Sequence, residues 1–181
     1  MCTRSANRSS LVAKGKELSF MADITEIRAE VIRPFLETTM NVLKTMANID
    51  AKPLKPFIKV GQEPTGDVSG IIGMASAKIS GSMALVFPES VILQIASAML
   101  CEKFESVSPD VLDCVGELTN MISGGARAGL AKLNMKFEMA IPTMIQGKHH
   151  IVEHKTKTSI IVIPFNIESG TFYIEAAFHE V

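Results

Sequence analysis

The stretch from residue 109 to residue 133 constrains the fold most, because it has a long helical period and two unlike faces. At about 100° per residue, its apolar side chains recur every three or four positions and form one stripe. That stripe consists of Val111, Val115, Leu118, Ile122, Ala126 and Leu130. Ser108 and Pro109 are typical of a helix start, and Asn134 can adopt the left-handed conformation that ends a helix. A helix of this kind has to bury its stripe against another layer of structure.

The opposite face of this helix is polar, and it holds the candidate functional residues. They follow one another along the face in the order Asp113, Glu117, Asn120, Gly124 and Arg127. Glu117 and Asn120 lie one turn apart, so a carboxylate and an amide point in the same direction. The adjacent glycines Gly124 and Gly125 cost about 1 kcal/mol each inside a helix. That cost predicts that something comes close to the backbone there.

The rest of the chain alternates between helical and extended patterns. A first helix is predicted from a capping box at Asp23 and Glu26, with a kink or a fresh start at Pro34. A second helix begins at Pro88 and Glu89. The predicted strands cover residues 54–61, 67–76, 79–87, 138–147, 158–166 and 171–178.

The two sets of three strands look like copies of each other. Pro56 and Gly61 recur as Pro142 and Gly147, at an offset of 86 residues. At an offset of 89, Ile71-Ile72, Ser80-Gly81 and Leu85 recur as Ile160-Ile161, Ser169-Gly170 and Ile174. Such matched punctuation indicates an internal duplication. We therefore predict a single domain over 21–181, built from two repeats of about 21–100 and 101–181. Residues 1–20 carry four bases against Glu17 alone, and we interpret them as a basic, loosely held tail or as an extension upstream of a natural start near Met21.

The predicted fold class is α/β of the α+β kind. Strands joined mostly by tight turns give a largely antiparallel, six-stranded sheet, and the helices have to cover one of its faces. The first repeat has Glu37 and Met40 where the second has Glu117 and Asn120. Only the second repeat therefore keeps the polar pair.

Bulk properties argue against several classes of partner. The formal net charge of −1 does not favour nucleic acid or a membrane surface, and no apolar run approaches the roughly 18 residues of a membrane span. Cys2, Cys101 and Cys114 match no zinc or redox spacing, which indicates structural thiols in a reducing, cytoplasmic setting.

One group of residues resembles a metal cluster by composition alone. It consists of His149, His150, Glu153 and His154. Adjacent histidines on a strand point to opposite faces, and no second group of ligands is evident. A polar hairpin is the default interpretation, and we expect no metal site.

The sequence resembles the CheX branch of the CheC-type chemotaxis phosphatases over residues 21–181. That family has Asp or Ser, then Glu four residues on, Asn three residues later and Pro about 22 residues after that. The matching residues here are Asp113, Glu117, Asn120 and Pro142. Further matches are Pro34-Phe35, the stretch from Gly66 to Gly73, Gly81, Phe87-Pro88-Glu89, and Gly116 to Ile122 with Gly124.

The resemblance implies that Glu117 and Asn120 act on the phosphorylated aspartate of a CheY-like response regulator. It also implies a homodimer with one active pair per chain, no cofactor of its own, and magnesium bound by the partner receiver domain. Gly124 would give the partner clearance. Asp113 either contacts the partner or only favours the helix start electrostatically. Arg127 is either a surface charge or a contact to an acidic group.

A non-catalytic alternative remains open, in which the chain is an adaptor that binds a receiver domain in the chemotaxis or flagellar-switch system. The retained amide of Asn120 favours the enzyme, because an adaptor has no need of it. Association through an exposed strand edge would be compatible with either function.

Overall fold

The computed structural model describes residues 30–156 and 158–180. Residues 34–181 form one compact unit. The predicted tail over residues 1–20, the capping box at Asp23 and Glu26, and Cys2 lie outside the described residues. The boundaries predicted for the domain and its repeats therefore stay predictions.

Three helices are present in the described part of the chain. They are α1 over residues 30–47, α2 over Glu89–Leu100 and α3 over Pro109–Ala131. The α1 helix runs through Pro34 without interruption, so the fresh start considered there is wrong. None of the described helices combines the length and hydropathy that a membrane span requires.

The ends of α3 are close to the predicted ones. The Val111 N–H donates a hydrogen bond to Ser108 Oγ at 3.4 Å, and Pro109 is the first helical residue. The helix ends at Ala131, slightly before Leu133, and Asn134 has a φ of 61°. Both signals in the sequence, the cap at the start and the left-handed residue at the end, are confirmed.

The strands form one antiparallel sheet. They are β1 (Lys52–Pro53), β2 (Phe57–Ile58), β3 (Gly66–Ala75), β4 (Ile79–Phe87), β5 (Glu138–Met139), β6 (Thr143–His150), β7 (Ile161–Ile167) and β8 (Gly170–Glu180). The order is β1-β7-β8-β4-β3-β5, with β2 also paired to β7 and β6 also paired to β3. The antiparallel class is confirmed, but the sheet has eight strands instead of six. The predicted strand over residues 138–147 is split near Pro142 into β5 and β6. Of the predicted strand over 54–61 only β2, after Pro56, is formed, and β1 lies before that range. Proline cannot donate to the ladder, which limits strand pairing at both places.

The strand order is symmetric about the central pair of strands. The first-half strands β1 and β2 lie beside β7 of the second half, and β5 and β6 lie beside β3 of the first half. At the centre β4 pairs with β8, where Leu85 is opposite Ile174. These two residues are related by the 89-residue offset of the predicted repeats. An ancient duplication in which each half gives its first strands to the other would produce this order.

The helices cover one face of the sheet. On this face Phe172 stacks on Phe87 and on Phe165, with ring centroids 5.1 and 5.3 Å apart. A side chain at Gly70 of β3 would overlap Thr119 Oγ1 of α3, so the backbone of β3 lies directly under the helix. Burial of these aromatic and aliphatic groups supplies the main apolar contribution to stability.

The other face of the sheet is contacted by residues 151–156, which we call the back segment. Its Val152 is buried in a cluster with Ala84 and Val86. Beside this cluster Lys59 Nζ donates to both carboxylate oxygens of Glu175 at 2.8 Å and to the Val152 carbonyl oxygen at 2.8 Å. The Glu175 side chain is 0% exposed and that of Lys59 is 5% exposed.

His154 completes this buried ion-pair network. Its Nε2 lies 3.1 Å from Glu175 Oε2, and its Nδ1 lies 2.7 Å from Ser82 Oγ. The network joins the segment after β2, the back segment and the central strands. A buried charge is tolerated because its partners replace the lost water.

We expect Lys59→Met to lower the free energy of unfolding by about 3–5 kcal/mol, because Glu175 would lose its buried counter-ion. Urea denaturation at neutral pH measures the change. Lys44→Met is the matched control, because the Lys44–Asp50 pair is exposed and should contribute about 1 kcal/mol or less. Equal losses in the two variants would contradict the importance given to the buried network.

Candidate functional site

The polar face of α3 is open to solvent. Asp113, Glu117, Asn120 and Arg127 are exposed, and Gly124 is partly buried. The stripe on the opposite face, from Val111 to Leu130, is 0–1% exposed at every apolar position. The structure thus places all five predicted site residues on one helix face, and their roles stay predictions.

Glu117 and Asn120 are free to interact with an external group. Side chains three residues apart on a helix lie about 5–6 Å apart at their Cβ atoms. Within residues 30–156 and 158–180, neither side chain has a hydrogen-bond or ion-pair partner. Ser123 Oγ donates to the Asn120 backbone carbonyl oxygen at 3.1 Å, which leaves the Asn120 side chain free. The pair therefore has no role in holding the described part of the chain together.

The helix that carries the pair is held firmly from below. Thr119, between the two polar residues, is fully buried, and its Oγ1 donates to the Val115 carbonyl oxygen at 2.7 Å. The absence of a side chain at Gly70 lets Thr119 reach the backbone of β3. The positions of Glu117 and Asn120 are consequently fixed by close packing under the intervening residues.

Cys114 lies beside the pair but does not offer thiolate chemistry. It is buried, and its Sγ is 3.4 Å from Met99 Sδ. Burial, and then the negative charge of Glu117, raise the pKa of the Cys114 thiol to about 11. At neutral pH the sulfur is protonated, so Cys114 is not poised as a nucleophile.

Gly124 and Gly125 have different surroundings. A Cβ at Gly125 would overlap the side chain of Thr38, and one at Gly129 would lie 2.6 Å from Pro34 Cβ. The element that approaches α3 here is therefore α1. At Gly124 a Cβ would find no atom within 4 Å, so this glycine leaves open space beside the polar pair.

The polar pair has a different neighbour on each side. On one side, a Cβ at Gly116 would lie 3.1 Å from Met144 Sδ of β6. On the other side, α1 and α3 form an open groove of about 510 Å³, which we call the α1–α3 groove. It is lined by Glu37, Thr38, Asn41, Val42, Met121 and Gly125. No sequence pattern predicts this groove, although Glu37 and Asn41 share a face of α1.

The histidines that resemble a metal cluster do not converge. The His149 N–H donates to Asp67 Oδ1 at 3.1 Å, and His150 contacts Ser69 Oγ at 2.7 Å. His154 lies on the same face of the sheet as Ser69, but its ring contacts Ser82 and Glu175 in the buried network instead. Among the residues described by the structure, no group of three or more His, Cys, Asp or Glu could hold a metal ion.

Asp67 serves a structural purpose at this edge. Its Oδ2 accepts the N–H of Glu89 at 2.9 Å, which ties the start of α2 to the strand end. Burial alone would raise the pKa of Asp67, but the backbone N–H groups of Glu89 and His149, with the charge of Lys148, bring it below its usual value. The carboxylate is thus held ionised as a cap for α2.

Comparison with known proteins places this arrangement among chemotaxis proteins. A family model described as chemotaxis phosphatase CheX matches residues 68–166, which include α3 and both members of the pair. Chemotaxis protein CheX from Vibrio vulnificus, known from a crystal structure, is 45% identical in sequence to this chain, with a TM-score of 0.80. That match covers 83% of this chain and 99% of the other.

Two more distant proteins extend the comparison. The CheY-P phosphatase CheX of Thermotoga maritima is 22% identical over 142 residues, which are 78% of this chain and 90% of that protein. The crystal structure of the CheX–CheY–BeF3–Mg²⁺ complex from Borrelia burgdorferi contains a chain that is 24% identical, with a TM-score of 0.71. The match covers 82% of this chain and 97% of that one.

The adjacent glycines provide a matched test of the packing of α3. We expect Gly125→Ala to lower the free energy of unfolding by about 1–3 kcal/mol, because its methyl group would overlap Thr38. Gly124→Ala should instead raise stability by up to about 1 kcal/mol, through helix propensity alone. Thermal and urea unfolding of both variants measure the difference. The same sign of change at both positions would contradict the close approach of α1.

Proposed function

This chain belongs to the CheX family of chemotaxis phosphatases, and on that premise we propose that Glu117 and Asn120 carry out the hydrolysis of an aspartyl phosphate on a CheY-like response regulator. The observation that supports this assignment is an exposed pair, without side-chain partners in the described part of the chain, on a helix whose opposite face is buried. Such a pair can enter another protein's reaction centre without disturbing its own fold.

The chemistry of the substrate explains the choice of an amide. An aspartyl phosphate is an activated acyl phosphate, and its transfer passes through a loose transition state, so catalysis depends mostly on positioning and charge stabilisation. Asn120 can donate or accept a hydrogen bond and hold a water molecule in line with the P–O bond. Its amide has no charge to repel the phosphoryl oxygens, whereas a carboxylate there would be opposed by Coulomb repulsion.

Glu117 serves a different purpose in this proposal. Its carboxylate, one turn from the amide, pairs with a lysine of the receiver and anchors the docked face. No general base is needed, because in-line positioning of the water can supply the rate. A displacement of about 1 Å can cost roughly 10²-fold in rate, so the fixed position of α3 is part of the mechanism.

The remaining residues of the polar face would contact the receiver. Asp113 and Arg127 lie exposed on either side of the pair, and Gly124 leaves space for the partner's backbone. The complex from Borrelia burgdorferi, which contains CheY, BeF3 and Mg²⁺, supports a CheY-like partner. We assign the magnesium to the receiver, so this chain needs no cofactor of its own. A receiver partner and free thiols fit a cytoplasmic location.

The roles of the two residues can be separated by mutation. We expect Asn120→Ala to reduce phosphate release from an acyl-phosphate-charged receiver by about 10²-fold or more, while the affinity for the receiver is retained. Glu117→Ala should weaken both affinity and turnover. Phosphate release and a binding titration measure the two effects, with Glu153→Gln on the back segment as the control. Normal turnover by Asn120→Ala would refute its role, and binding without turnover by the wild type would favour the adaptor.

We also propose that the chain forms a homodimer through an open edge of the sheet. Both edges expose large apolar side chains: Leu54, Phe57 and Ile58 at one, and Ile141, Met144 and Ile145 at the other. Unprotected edges of this kind are prone to pair with another chain. Sedimentation equilibrium should give a dimer at micromolar concentration, and a monomer at about 100 μM would contradict the proposal.

A further inference from the structure

The α1–α3 groove is continuous with the polar pair. Two of its lining residues, Met121 and Gly125, directly follow Asn120 and Gly124 along α3. At about 100° per residue, Met121 lies about 40° from Glu117, while Asn120 lies about 60° away in the other direction. The groove is therefore on the Glu117 side of the pair, away from Met144. A receiver that reaches Glu117 would also lie across the mouth of the groove.

The lining of the groove has a defined chemical character. Among the described lining residues, Glu37 is the one that carries a charge, and Asn41 lies one turn further along the same helix. Both are exposed, and within the described ranges Glu37 has no ion-pair partner. Val42 and Met121 provide apolar walls. A carboxylate and an amide at the rim of apolar walls suit a side chain with a long aliphatic stem and a cationic head.

The charge of the neighbouring surface supports a cationic occupant. Glu117 and Glu37 present carboxylates on the same side of α3 and favour a basic side chain over an acidic one. Lys44, which shares the face of α1 that carries Glu37, is already paired with Asp50. Arg127, the exposed base on the polar face, lies beyond Gly124, about two turns along α3 from Met121. The close contact between Gly125 and Thr38 fixes the spacing of the two helices, so the groove is built into the packing.

We propose that the α1–α3 groove binds a lysine or arginine side chain of the receiver, with Glu37 as its counter-ion and Asn41 as an additional hydrogen-bond acceptor. This contact rests on the proposed function and deepens it. Glu37 touches no reacting atom in this scheme, so it is a specificity-determining residue and not a catalytic one. Its contribution belongs to the affinity for the receiver and to the choice between related receivers.

The test uses the full chain and a magnesium-loaded CheY-like receiver, activated with BeF3 for binding and charged with acetyl phosphate for turnover. Glu37→Lys should raise both Kd and KM for the receiver by about 10-fold or more, while kcat at saturation stays within about twofold of wild type. Glu153→Lys is the control, because it makes the same change of charge on the opposite face of the sheet. Circular dichroism and thermal unfolding confirm that both variants fold.

Two further measurements test the contact between Glu37 and a basic side chain of the receiver. Glu37→Gln is nearly isosteric, and its KM should depend less on ionic strength than that of wild type, because one screened attraction is lost. Reversal of individual receiver lysines or arginines to glutamate should identify one position that restores binding to Glu37→Lys. If Glu37→Lys does not fold, the salt dependence of Glu37→Gln decides the question.

The groove contact is overturned if Glu37→Lys and Glu37→Gln bind and turn over the receiver like the Glu153 control. This failure differs from failure of the proposed function. In the latter, wild-type protein would release no phosphate, or Asn120→Ala would turn over normally. The binding titration with BeF3-activated receiver tests the groove contact in either case, because it measures affinity without turnover.

Discussion

The close approach of α3 to the layers around it determines the rest of the structure. Beneath the helix, β3 presents the bare backbone of Gly70 to Thr119, and beside it α1 presents Thr38 to the bare backbone of Gly125. Both contacts exist only because a side chain is missing. Protein interiors are packed as densely as organic crystals, so an added methyl group at either point would force the facing threonine side chain to shift. The missing side chains at Gly70 and Gly125 therefore determine the position of α3 and of its polar face.

This packing makes a simple chemistry effective. The reaction proposed here needs no nucleophile from the protein and no metal of its own, and the buried thiol of Cys114 is held protonated next to the carboxylate of Glu117. In this proposal, the protein supplies an amide and a carboxylate at a fixed separation. Preorganised polar groups lower a barrier most when they do not move during the reaction. The packed underside of α3 provides that stiffness, while its outer face stays free for the partner.

Local sequence patterns predicted the helix and its faces well. The cap at Ser108, the left-handed residue at Asn134 and the division of α3 into a buried and an exposed face all depend on neighbours within a few turns. The number of strands was wrong, because the effect of Pro56 and Pro142 depends on whether each strand pairs along its whole length. The α1–α3 groove was missed because it forms only when two distant helices pack together.

The buried ion-pair network is a second feature that local sequence patterns do not predict. Lys59, His154 and Glu175 come from widely separated segments, and no local period marks them as buried. The back segment was interpreted as a polar hairpin from its histidines, yet it covers a sheet face and buries Val152. Long-range pairing of charges follows from the path of the chain across the sheet, and composition does not reveal that path.

The symmetric strand order has a consequence for the history of the molecule. The outermost strands of each half belong to the sheet region of the other half, so neither half possesses a complete sheet of its own. If the halves arose by duplication, the short ancestral chain had to fold as an intertwined pair, with each copy lending its leading strands to its twin. Fusion of the two genes then joined partners that were already inseparable, and it freed one of the two equivalent helices to lose its amide.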